Sequence, residues 1–109
     1  MGSEGYDYDL TEIAESDIDE TLSYMEDDLS NPTAASDFMD ALEDKIDEIC
    51  KNPKTGRIVK NPYLKRDDVR RFLVDNYIAY YIIDEDNSKI VILRLVYGRR
   101  DLDKILKDF

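Results

Sequence analysis

The chain has no histidine and no tryptophan, one cysteine, four glycines and three prolines in 109 residues. Each shortage removes a class of chemistry. Without histidine, no Ser-His-Asp or Cys-His relay can be assembled, and the commonest zinc ligand is missing. A lone thiol, Cys50, cannot close an intramolecular disulfide, which suits a reducing compartment. Gly2, Gly5, Gly56 and Gly98 stand too far apart for a Walker loop or a dinucleotide fingerprint. No run approaches the roughly 20 apolar residues of a membrane span, and the first residues are acidic where a secretory leader would be basic. The acids follow no Asp-x-Asp-x-Asp-Gly pattern. The expectation is a cytoplasmic protein with no membrane attachment, no metal and no cofactor.

Apolar residues make up 42% of the chain and charged residues 38%, enough for one core beneath a heavily ionic surface. The length suits a single domain over residues 1–109, with residues 1–5 expected to be disordered or left over from cloning, because patterning starts at Tyr6. The net charge of −11 is unevenly distributed: residues 1–50 hold 17 acids and one base, whereas residues 51–100 hold 12 bases and six acids. The second half can therefore face a polyanion or an acidic partner that the first half repels.

Tyr6, Tyr8 and Leu10 alternate with Asp7 and Asp9, which predicts a short strand. Thr11 can cap a following helix with the stripe Ala14, Ile18, Leu22, Met25 and Leu29; Asp17 and its acidic neighbours are expected on the solvent side. Ser30-Asn31-Pro32 stops that helix and starts another, with Asn31 as N-cap, the stripe Ala35, Phe38, Leu42, Ile46 and Ile49, and an end at Asn52-Pro53. Lys54 to Asp67 shows no period and reads as a basic loop. Val69–Val74, Tyr77–Ile83 and Ile90–Tyr97 are rich in Val, Ile, Tyr and Phe and predict two successive hairpins. Leu102, Ile105, Leu106 and Phe109 predict a short terminal helix or tail. The fold class expected is α+β: an N-terminal strand, a helical hairpin, a three-stranded antiparallel meander completing one sheet, and a short C-terminal helix.

Chemistry concentrates in Lys65, Arg66, Arg70, Arg71, Tyr77, Tyr80, Tyr81, Arg94, Tyr97, Arg99 and Arg100. Arginine pairs with phosphate or carboxylate through its planar fork, and tyrosine can stack on a base. Such a surface can hold RNA or an acidic protein segment. Strand alternation puts Arg71 with Val69 and Leu73, and Arg70 with Phe72, so the two arginines cannot line one site.

The order of elements, with Ala14-Glu15-Ser16-Asp17-Ile18, Asn31 to Phe38, Val69-Arg70-Arg71-Phe72-Leu73-Val74, Asn76-Tyr77-Ile78-Ala79-Tyr80-Tyr81 and Val96-Tyr97-Gly98-Arg99-Arg100-Asp101, resembles the RelE/ParE superfamily over roughly Tyr8 to Leu106. The resemblance implies a growth-inhibiting toxin of a type II toxin-antitoxin system, of the kind linked to plasmid stabilisation and silenced by a cognate antitoxin. RelE-like members are metal-free, ribosome-dependent mRNA endoribonucleases; ParE-like members inhibit DNA gyrase. Nuclease members often carry arginine where this chain has Ile78, and a Tyr or His near the end where the tail has neither. The ParE-like branch is therefore favoured, with Lys65, Arg66, Arg70, Arg94 and Arg99 as contacts to target or phosphate. In the nuclease alternative, Arg100 and Arg71 stabilise phosphate and Tyr97 donates a proton or stacks. A decayed, non-toxic homologue is the third alternative, and the oligomeric state is left open.

Overall fold

The computed structural model describes residues 5–60 and 64–98. Its first strand, β1 (Asp7–Leu10), ends where Thr11 turns the chain. The Thr11 backbone N–H donates to the Ile92 carbonyl and its hydroxyl to the Leu93 carbonyl, while Oγ1 accepts the Ala14 N–H at 3.0 Å. One residue thus caps helix α1 (Glu12–Ser23) and ties its start to the sheet.

Ala14 and Ile18 are buried as the helical spacing requires, but the regular helix stops at Ser23. A π-helical turn, Tyr24–Asp28, replaces the expected last turn, and Leu29 is exposed instead of packed. Glu26, Asp27 and Asp28 crowd the carbonyl end, where the helix dipole disfavours negative charge. Ser30 then adopts a left-handed φ of 50° and Asn31 caps the second helix, α2 (Pro32–Lys51), accepting the Ala34 N–H at 3.1 Å. The whole predicted stripe of α2, from Ala35 to Ile49, is buried, with Cys50 beside it. Burial first, then the charges of Asp47 and Asp7, push the Cys50 thiol above its ordinary pKa. No helix among the described residues is long and apolar enough to cross a membrane.

The segment read as a structureless loop contains a two-residue strand, β2 (Arg57–Ile58), after a 3-10 turn at Pro53–Thr55. The strong β signals become β3 (Arg70–Val74), β4 (Tyr77–Asp84) and β5 (Lys89–Tyr97). The sheet order is β1-β5-β4-β3-β2. It is mixed, not wholly antiparallel: β1 runs parallel to β5, because the helical hairpin carries the chain back over the sheet before the meander begins. Asp75 makes the tight β3–β4 turn at a φ of 52°, a conformation that aspartate tolerates.

Both faces of the sheet are apolar. One packs Phe72, Val74, Ala79, Tyr81, Ile90, Ile92 and Leu95 against the two helices; the other gathers Val69, Ile78, Tyr80, Leu93 and Val96, with Val59 and Leu64 leaning on it. Opposite Tyr80–Tyr81 the register slips by one residue, so Arg94 faces Tyr80 while Ile92 faces Tyr81, leaving Leu93 as the extra residue of a β-bulge. The predicted C-terminal helix lies outside the described residues.

Tyr81 connects the core to the loop before β2. Its buried hydroxyl donates to the Pro53 carbonyl at 2.7 Å and accepts the Gly56 N–H at 3.0 Å. Gly56 is obligatory there, since a Cβ would lie 2.3 Å from that hydroxyl and 2.7 Å from the Arg71 carbonyl oxygen. Tyr81→Phe strands both backbone groups and is expected to cost about 1–3 kcal/mol. Urea unfolding checks this: the midpoint falls while the slope is unchanged.

Candidate functional site

The basic residues of the second half do not form one surface. Alternation along β3 sends Arg70 to the helix side, where its Nη1 donates to the carbonyls of Gly56 at 2.7 Å and Lys54 at 3.2 Å. Arg70 thus holds the turn that Tyr81 also holds. Arg71 points to the other face, directly across from Tyr80 on β4 and from Arg57 on β2. Arg66 makes a two-pronged pair with Asp68, at 2.8 and 2.7 Å, on the exposed approach to β3, and Lys65 beside it is exposed. This pairing lowers the Asp68 pKa and raises that of Arg66.

Arg94 follows the Leu93 bulge and reaches Asp17 of α1, its Nε and Nη2 donating to the carboxylate at 2.8 and 3.1 Å. The same carboxylate accepts the Leu95 N–H at 3.0 Å, a donor on the strand edge just beyond the end of β1. Asp17 was expected on the solvent face of α1; its side chain is only 11% exposed and that of Arg94 18%, so the pair closes the helix–sheet interface.

Tyr97 stands on the helix side, across from Tyr77, and the two rings meet edge to face at 5.5 Å. Phe38 meets Tyr77 in the same way at 5.1 Å. These aromatics end in a cleft of about 670 Å³ between the π-helical turn and the sheet, bordered by Glu20, Tyr24, Leu29, Tyr77 and Tyr97. Tyr97 and Arg71 therefore occupy opposite faces of the sheet. Arg99 and Arg100 lie outside the described residues. Tyr80 and Tyr81, which could have stacked on bases, are 1% and 0% exposed. Burial raises the pKa of both hydroxyls, opposed at Tyr80 by Arg71 and at Tyr81 by the Gly56 hydrogen bond and by Arg70. Both phenols stay protonated at neutral pH.

What the structure does bring together is Arg71 and Arg57, a cross-strand pair of like charges bordering a cleft of about 460 Å³ with Lys45, Glu48, Thr55 and Leu73. Among the described residues, neither arginine has a carboxylate partner. Arg57 was absent from the residues singled out by sequence. A two-residue strand leaves no period to read, and the pairing is a tertiary fact.

The Asp17–Arg94 pair yields a sharp expectation. Asp17→Ala leaves a guanidinium without its carboxylate at a closed interface and is expected to cost about 3 kcal/mol, with the Leu95 N–H also unpaired. In a double-mutant cycle by urea denaturation, replacing both Asp17 and Arg94 with leucine should cost clearly less than the sum of the two single replacements.

Comparison with known proteins supplies the family. The profile describing the ParE toxin of the type II toxin-antitoxin system, parDE, matches residues 8–102. No curated protein sequence matches the chain. Among solved structures, the chromosomal ParDE system from P. aeruginosa superposes with a TM-score of 0.65 at 16% identity, covering 87% of this chain and 98% of that one. The RelBE2 toxin-antitoxin complex from Mycobacterium tuberculosis gives 0.61 at 17% identity, covering 85% and 98%. The intact E. coli RelBE complex gives 0.59 at 14% identity, covering 87% and 99%. These likenesses establish the fold, and with the profile spanning Tyr8 to Leu102, the chain belongs to the ParE toxin family of type II toxin-antitoxin systems.

Proposed function

We propose that this toxin inhibits bacterial growth from the cytoplasm by binding a protein target such as DNA gyrase, that a cognate antitoxin silences it, and that it does not cleave RNA. The observation that carries this reading is the separation of Arg71 from Tyr97 by the thickness of the sheet. A phosphate-stabilising cation and a proton donor must reach the same scissile bond, within hydrogen-bond distance of the reacting atoms. Arg71 and Tyr97 share no such point. Arg94 and Arg70, which could have replaced Arg71, are engaged by Asp17 and by backbone carbonyls. The net charge of −11 adds long-range repulsion against a ribosome or a message.

Induced expression in bacteria without the antitoxin, with message ends mapped and the DNA-damage response followed in one culture, tests the reading. Growth arrest with damaged DNA and intact messages is the expected outcome. Arrest with cleaved messages, abolished in Arg100→Ala, would replace it by a nuclease. Unimpaired growth at confirmed expression would mean a homologue that has lost toxicity.

A further inference from the structure

The juxtaposition of Arg57 and Arg71 is an arrangement that folding alone does not explain. Side chains directly opposite on antiparallel strands stand about 5 Å apart at Cβ, and like charges there are destabilising. Elsewhere this chain relieves such charges: Arg94 meets Asp17, Arg66 meets Asp68 and Lys89 meets Asp9. Arg57 sits on an edge strand only two residues long, Arg71 lies across from it on β3, and the two border the cleft that Lys45 and Glu48 of α2 also line.

From this geometry we infer that Arg57 and Arg71 form a clamp for the carboxylates of an extended acidic protein segment. The inference deepens the protein-binding reading by naming the partner's chemistry, and it rests on that reading. An anion seated between the two guanidiniums turns their repulsion into attraction, and each fork can grip a carboxylate through two parallel hydrogen bonds.

Three features favour protein carboxylates over nucleic-acid phosphates. Among the described residues, Tyr80 across from Arg71 is buried and Tyr97 lies on the far face, so neither offers the pair a ring for a base to stack on. Leu73, two residues along β3 on the same face as Arg71, is 59% exposed, the most exposed large apolar side chain among the described residues. It offers an apolar side chain a contact beside the clamp, as a peptide requires and a phosphate backbone does not. The 17 acids of residues 1–50 also repel a long polyanion far more than a short acidic segment whose charges can all lie at the clamp.

The test uses the full chain and three probes: a fluorescein-labelled peptide alternating glutamate with valine, a labelled single-stranded RNA of equal charge, and inorganic phosphate as competitor. Wild type is expected to bind the peptide more tightly than the RNA. Arg57→Thr and Arg71→Thr should each weaken peptide binding roughly tenfold. Arg57→Thr should at the same time raise the melting temperature by roughly 2–4 °C at low salt, a gain that shrinks as salt screens the repulsion. A gain in stability with a loss of binding is the signature of a functional like-charge pair; a purely structural arginine gives the reverse sign. Peptide binding unchanged in both variants, a fall in melting temperature in Arg57→Thr, or tighter binding of the RNA through the same arginines would each overturn the clamp. Should Arg71→Thr not fold, Arg57→Thr alone decides, because Arg57 is exposed on the edge strand. Binding is read on purified protein, so its failure is distinguishable from a failure of growth arrest.

Discussion

Adjacent residues of a β-strand cannot face the same side, and in β3 that rule separates Arg70 from Arg71. On the helix side β3 buries Phe72 and Val74, whereas its other face carries Arg71 and the exposed Leu73, so a slip by one residue would put Arg71 and Leu73 into the core in their place. The register is therefore pinned by hydrophobic burial, and the fate of each arginine follows from it. Arg70 is delivered to the helix side, where it donates to the carbonyls of Lys54 and Gly56 in the turn before β2. Arg71 is delivered to the outer face, where β2 brings Arg57 to meet it.

The Leu93 bulge performs a second sorting. One extra residue in β5 shifts the phase of everything after it, so that Arg94 lies across from Tyr80 and Leu95 returns to the helix side. The bulge lies where β1 stops, so the edge N–H of Leu95 lacks a strand partner, and Asp17 takes both that donor and the Arg94 guanidinium. One carboxylate thereby fastens α1 to the sheet edge, while Thr11 fastens its start. Most other acids of α1 remain in water, where they make one side of the molecule repulsive to polyanions. A protein so arranged presents a cross-strand pair of arginines on its sheet and an acidic hairpin of helices elsewhere.

Much of this was legible beforehand. The α2 stripe, the caps Thr11 and Asn31, the three long strands and the opposition of Arg70 to Arg71 all follow from local periodicity and capping chemistry, and the structure contains each. The features that were not legible are those decided by partners distant in sequence. β1 was readable as a strand, but its parallel pairing with β5 depends on where the hairpin returns the chain. Asp17 looked like one more acid on a wet helix face because its partners lie 77 and 78 positions away. Arg57 looked like loop because two residues carry no period. The π-helical turn at Tyr24–Asp28 has no local signal beyond its crowded acids. Arg66, Arg70 and Arg94, chosen as contacts by residue type, proved to have internal partners, which residue type alone cannot reveal.

The division of arginines into engaged and open is most directly measured by NMR of the guanidinium N–H groups, with amide-style hydrogen exchange on the free protein. Arg70 and Arg94 should give resolved signals that exchange slowly, because each is held by acceptors at 2.7–2.8 Å in a partly buried setting. Arg57 and Arg71 should exchange at the rate of free arginine until an acidic peptide is added, and then become protected. Protection of Arg71 in the free protein, or an Arg94 averaged with solvent, would contradict the sorting on which the interaction surface depends.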